Sequence, residues 1–136
     1  LALWESTIAM IEEHPLLGVG WGNYWLAYPE YNFFIEDADV VIFHAHDMYI
    51  HIPAEVGIPG GFLYFLFFFG QGVMSWRIWR RGKGTMKLFG LSGMLLVLSV
   101  AIDGIGDYAL FSCPVSCCFW ALSALCVSEE RRSVAG

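Results

Sequence analysis

Three histidines, His44, His46 and His51, fall in one short stretch that reads HAHDMYIHIPAEVGIPG from His44 to Gly60. Asp47 and Glu55 share it, and Gly57-Ile58-Pro59-Gly60 closes it against a long apolar run. Histidine titrates near pH 6.5, so it can take or release a proton near neutrality, as a general base must. The two carboxylates would favour the imidazolium form of a neighbouring histidine. A metal site is a second reading. Asp47, His51 and Glu55 stand at i, i+4 and i+8 and would share one face of a helix, with His44 or His46 completing the shell. Pro53 blurs that face, and the set matches no known ligand spacing. The plainest alternative is a group of satisfied histidines at a polar membrane interface. Titratable groups at the lip of a membrane span are costly to keep there, which makes this stretch the first place to look for chemistry.

Two further groups carry weaker signals. GVGWGNY, Gly18 to Tyr24, is a glycine-rich turn whose backbone N–H groups could approach a phosphate. It does not join a strand to a helix as a nucleotide fingerprint does, and a tight turn after a helix stop accounts for it equally well. Asp103 and Asp107 flank the turn DGIGDY, where helix capping or solvation competes with a functional role.

The elements that position these residues follow from composition and charge. The 136 residues are 57% hydrophobic and 15% charged, with a mean hydropathy of +0.58. A soluble domain averages about 45–50% apolar and about 25% charged, so this is an integral membrane protein or part of one. No Lys or Arg occurs from Leu1 to Trp76, whereas all seven basic residues lie at Arg77, Arg80, Arg81, Lys83, Lys87, Arg131 and Arg132. Basic loops mark the cytoplasmic side, so the histidine stretch is expected outside the cytoplasm. The chain opens without a methionine or a signal-peptide pattern and reads as the C-terminal fragment of a longer polytopic protein.

Leu1, Trp4, Ile8 and Ile11 recur at helical spacing, with Pro15 just past the helix end. An acidic, aromatic loop from Tyr24 to about Phe43 follows, whose Tyr24, Trp25, Tyr28, Tyr31, Phe33 and Phe34 suit the headgroup layer. Asp47 is placed to cap a short helix reaching Glu55. Three transmembrane helices are then expected: one after the Gly57–Gly61 turn to about Trp79, one from about Leu88 to Ile105, and one from about Ala109 to Val127. The fold class is therefore all-α, a partial polytopic helical bundle. Residues 1–57 form an extracytoplasmic helix-loop-helix region, 58–128 the membrane helices and 129–136 a cytoplasmic tail. Cys113, Cys117, Cys118 and Cys126 lie in one apolar run and read as packing residues rather than a disulfide or zinc framework.

These residues together resemble the O-antigen ligase family, which includes O-antigen ligases, polysaccharide polymerases and protein O-oligosaccharyltransferases. His46-Asp47, nine residues and Gly57-Ile58-Pro59-Gly60 match the family's pattern of a histidine, a small polar residue, nine residues and Gly-x-x-Gly. His-Pro-Leu-x-Gly-x-Gly at His14 to Gly20 is a second match, and the likeness is clearest from about Leu3 to Phe69. The resemblance implies an inner-membrane glycosyltransferase of bacteria, multi-pass, with its histidine motif on the periplasmic side and no cofactor. Its partners would be membrane lipid, a glycan donor on undecaprenyl diphosphate, and an acceptor hydroxyl on lipid A-core, another glycan or a protein; nucleic acid is not among them. His46 would be the catalytic base and His44 the runner-up. Gly57 and Gly60 would set the helix that positions His46, with Asp47, Glu55, His14, Gly18 and Gly20 as motif residues and no residue assigned to metal.

Two departures stand out. The position after the motif histidine is usually Asn, Ser or Gln, and here it is Asp47, a negative charge beside a diphosphate. The arginines with which the family holds the diphosphate are absent from the outward-facing part, so they are expected upstream of Leu1 and the fragment is not expected to catalyse alone. A non-catalytic membrane component of envelope polysaccharide assembly is the alternative, and a metal-dependent membrane hydrolase a third.

Overall fold

A computed structural model describes residues 2–32 and 41–135, and among these every regular element is helical. Phe33, Phe34, Glu36, Asp37 and Asp39 of the expected acidic loop lie outside the described residues, as do the side chains of Cys126 and Arg132. The chain divides into two compact units, Leu1–Tyr64 with Gly104–Tyr108, and Phe65–Asp103 with Ala109–Gly136.

In the first unit, α1 spans Ala2–Glu13, a single turn α2 spans Tyr24–Ala27, and a 3-10 turn covers Tyr28–Tyr31. The buried face of α1 is Ser6, Thr7 and Met10 rather than the Trp4–Ile8 stripe, and Ile8 is exposed. Hydrogen bonding sets this rotation. Thr7 Oγ1 lies 2.7 Å from the Tyr24 hydroxyl and 2.7 Å from the Leu3 carbonyl, so the threonine turns inward with its hydroxyl satisfied, although the buried Ser6 Oγ beside it has no partner among the described residues.

The unit's core joins Met10, Tyr24, Tyr28, Tyr31, Ala45 and Ala54. Tyr24 and Tyr28 stack at 5.8 Å, and the Tyr31 hydroxyl donates to Glu13 at 2.8 Å. The three tyrosines expected at the headgroup layer thus build the core, because each ring buries apolar area while its hydroxyl can find a partner. Trp25 keeps an exposed position.

The helix α3 spans Met48–Arg81 and is broken at Gly57, whose φ of 74° and ψ of 169° are not helical. The arm before the break carries His51 and Glu55. The remainder, Ile58 to Arg81, is apolar up to its last turns, where Arg77, Arg80 and Arg81 fall, and at about 1.5 Å per residue still reaches across a hydrocarbon core of about 30 Å.

In the second unit, α4 spans Thr85–Asp103 and is also long and apolar enough to cross a membrane. It meets the end of α3 closely: a Cβ on Gly90 would fall on the Trp79 backbone nitrogen and 2.8 Å from the Ser75 carbonyl. Small residues permit this approach where lipid gives helices no hydrophobic reason to associate. The third expected span is a 3-10 turn, Ala109–Phe111, followed by α5, Cys113–Ala135. The described apolar run Cys113–Leu125 lies in α5, and Phe119 stacks on Phe68 at 5.4 Å. Cys113, Cys117 and Cys118 are free and exposed. Phe67, Leu95, Leu98 and Ile102 are exposed too, as expected where lipid is the solvent.

Candidate functional site

The site rests on a clasp between the two motifs. In an unbroken helix the Ala54 carbonyl would accept from Ile58, and the Glu55 carbonyl from residue 59. Residue 59 is proline and has no N–H to give. The break at Gly57 turns Ile58 away as well, and its N–H donates to the Pro15 carbonyl at 2.8 Å. The glycine turn then supplies the two stranded carbonyls. Val19 N–H donates to Ala54 at 2.9 Å, and Gly20 N–H to Glu55 at 2.9 Å.

The clasp has no room for side chains at its centre. A Cβ on Gly57 would fall on the Leu16 carbonyl, and one on Gly18 on the Glu55 carbonyl. Both glycines also hold positive φ, 74° and 65°. Gly20 at φ 101° precedes Asn23, whose N–H donates back to the Gly20 carbonyl. The His14 carbonyl accepts from Gly18 N–H at 2.9 Å while its side chain is exposed, so this motif histidine serves through its backbone. Gly60 permits close packing of the turn, since a Cβ there would lie 2.7 Å from Val56.

Above the clasp, the start of α3 fixes the histidine motif. Asp47 caps the helix as its sequence position predicts: Oδ1 accepts from Tyr49 N–H at 2.8 Å and from Ile50 N–H at 3.2 Å. The Met48 N–H donates to the Gly104 carbonyl at 2.8 Å, which ties the DGIGDY turn to the same helix end. His46, just before the cap, sits at φ 50°, a left-handed conformation uncommon for a residue with a side chain. Such backbone persists where surrounding contacts determine it, and it clusters at functional sites.

Three side chains converge at this point. His46 Nδ1 lies 3.4 Å from Asp107 Oδ1, both side chains being more than half exposed. The rings of His44 and His46 are 4.1 Å apart between centroids, and His44 Nδ1 accepts the His46 N–H at 3.3 Å. The Tyr108 N–H holds the Asp107 carboxyl below the ordinary carboxylate range, helped by the two histidines. Burial, then the neighbouring His46, pushes the His44 pKa down. The carboxylates therefore do not raise every histidine, since desolvation outweighs them at His44.

Behind this exposed group lies a buried one, in the arm of α3 ahead of the membrane-spanning part. His51 is fully buried, with Nε2 3.7 Å from Glu55 Oε2 and Nδ1 accepting the Ala45 N–H at 3.4 Å. Its ring packs 4.8 Å from Tyr24 and 5.1 Å from Tyr108. Burial, then His44, pushes the His51 pKa down to about 3, so it is neutral at physiological pH. Glu55 is buried too and accepts the Tyr24 N–H at 3.2 Å. Burial raises its pKa, while the backbone N–H groups of Gly22 and Tyr24 draw it back.

The structure thus brings His44 and His46 together and assigns Asp47, Glu55, Gly57, Gly18, Gly20 and Gly60 to holding them. The helical metal face of Asp47, His51 and Glu55 is not assembled, because Asp47 is taken by the cap and Glu55 by the glycine turn. A different set, His44, His46 and Asp107, places one ligand atom each within 4.8 Å of one another and matches a two-histidine, one-carboxylate donor set. Asp107 had only its position in an outer turn to mark it. Its neighbour Asp103 has the structural role, with Oδ2 accepting from Ala109 N–H at 3.2 Å.

Among curated proteins none matches the chain in sequence. A family model described as O-antigen ligase matches residues 1–65, the stretch that holds both motifs, the clasp and all four histidines. That match covers just under half of the chain and makes residues 1–65 similar to a family of membrane glycan transferases of the ligase or polymerase type.

Proposed function

We propose that this chain carries the acceptor-activating part of an enzyme that moves a polysaccharide from undecaprenyl diphosphate to an acceptor hydroxyl. The observation that carries the reading is the pairing of His46 with Asp107 at an exposed point of the matched segment. With Asp107 at Nδ1, His46 presents Nε2 outward. Nε2 takes the proton of the acceptor hydroxyl as its oxygen attacks the anomeric carbon. The bond from that carbon to the diphosphate oxygen breaks, and the lipid diphosphate leaves as the anion. Asp107 offsets the imidazolium charge and holds the ring, in the manner of a base and its orienting carboxylate. Apo distances of this kind tighten when substrate binds.

The leaving diphosphate needs a counter-charge, and residues 1–76 contain no Lys or Arg. Guanidinium groups from other parts of the full protein fill that role, as bidentate recognition of phosphate favours. Asp47 does not oppose it strongly, since its carboxylate is engaged by the first turn of α3. We place residues 1–57 on the periplasmic side of the inner membrane, with Arg77–Lys87 in the cytoplasm. The acceptor is a lipid A-core, a glycan or a protein hydroxyl.

The test is glycan joining by full-length protein in cells lacking their own enzyme. His46→Ala should abolish it, and normal joining by that variant would sink the assignment. One observation favours a second reading, a metal-dependent hydrolase: the His44, His46 and Asp107 donor set. Activity lost to a chelator and restored by zinc would support it over the transferase.

A further inference from the structure

His51 is enclosed on every side, yet it points at two different parts of the site. Its Nδ1 accepts the Ala45 N–H at 3.4 Å, so in the neutral ring the proton is on Nε2. Nε2 faces Glu55 Oε2 at 3.7 Å, a distance for electrostatic orientation rather than a full hydrogen bond. Glu55 is fixed in turn by the glycine turn, through the Tyr24 N–H on its carboxylate and the Gly20 N–H on its carbonyl. Ala45, at the other end, is fully buried and lies between the two outward histidines.

We propose that His51 is a positioning residue, coupling the Glu55 seat in the glycine turn to the Ala45 backbone and so setting where His44 and His46 project. The inference rests on the transferase reading above and adds a residue to it. A direct link is needed because the backbone at His46 is left-handed, and the short segment from His44 to Asp47 has no ladder of its own. The Ala45 N–H ties this segment to the buried ring of His51, while the His46 N–H bonds only within the segment, to His44.

The two ring nitrogens separate this role from simple packing. In His51→Asn the side-chain oxygen can stand near the Nδ1 position and accept from Ala45, but it does not reach Glu55. In His51→Gln the amide extends toward Glu55 and leaves the Ala45 N–H unmet. His51→Leu keeps the volume and loses both. In full-length protein, His51→Leu should lower kcat roughly 10²-fold, since small displacements of a catalytic group have effects of that size. The KM for the glycan donor should stay within about twofold. His51→Asn, which keeps only the Ala45 end of the link, should recover part of the rate and His51→Gln little of it.

A readout independent of activity is amide exchange of the peptide containing Ala45. It should quicken in the Leu and Gln variants and remain slow in Asn. Gln rescuing as well as or better than Asn would show that filling space is what matters and would overturn the proposal. Wild-type rate in His51→Leu would do the same. His46→Ala, assayed alongside, separates the two layers. Transfer retained there defeats the transferase reading itself, whereas transfer lost there with His51→Leu unaffected defeats the positioning role alone.

Discussion

Two histidine–carboxylate pairs, whose histidines are close in sequence, have opposite surroundings. His46 and Asp107 are 56% and 58% exposed, whereas His51 and Glu55 are 0% and 4% exposed. Each joins an imidazole to a carboxylate, so the main difference comes from solvent. Water lets the outer pair exchange protons with an incoming hydroxyl at little cost. Burial makes the inner pair poor at proton exchange, because its charged forms are disfavoured, and good at holding geometry. One pair is suited to chemistry and the other to placement.

The largest expected effect comes from removing what both pairs stand on. Gly57→Ala puts a Cβ on the Leu16 carbonyl at a φ and ψ that suit only glycine. It should destabilise the first unit by about 3 kcal/mol or more and abolish transfer. Denaturant unfolding in detergent measures this, and an alanine variant of wild-type stability would break the clasp as described. Next come variants that separate the pairs. Asp107→Asn should reduce transfer roughly 10²-fold with stability held within about 0.5 kcal/mol. Glu55→Ala should instead lower stability by about 1–3 kcal/mol, since it leaves the Tyr24 N–H buried without its acceptor. If both variants lost activity and stability alike, the division between the pairs would fail.

Acid sharpens the comparison further. The folded protein holds the His51 pKa at about 3, below the ordinary value of 6.5, so the unfolded chain binds the proton more readily. Stability is therefore fully present above about pH 6.5 and is lost as pH falls toward about 3. The groups facing His51 are Glu55, His44, Tyr24 and Tyr108. Melting temperatures across that window should slope less in His51→Asn than in the parent, and equal slopes would remove His51 as the cause. The smallest effect belongs to Asp47→Asn, which keeps the cap and should change stability by less than about 0.5 kcal/mol. Asp47→Ala should cost about 1 kcal/mol, and equality of the two would argue against the cap.

Much of this was legible in the sequence where one local rule decided the outcome. Asp47 before a helix and the glycine spacing each follow from nearby residues, whereas the expected basic loop from Arg77 to Lys87 is helix on both sides of a short turn, Arg81 ending α3 and Thr85 opening α4. What was hidden depends on contacts far apart in sequence. Asp107 reaches His46 only because the Gly104 carbonyl binds the first N–H of α3. The tyrosines read as a headgroup belt, yet Thr7 and Glu13 take two of their hydroxyls and draw them into a core. The apolar spacing of α1 predicted the helix itself, while its buried face depends on a distant partner, Thr7 on Tyr24.

The clasp also bears on how such chains can diversify. Both ends of the stretch between the glycine turn and the histidine motif are anchored, one by Val19 and Gly20 on the α3 carbonyls, the other by Ala45 and the Asp47 cap. The entropy of closing a loop grows only slowly with its length. Apart from the core residues Tyr24, Tyr28 and Tyr31, a change of length between those anchors therefore costs little and leaves the histidine motif where it is.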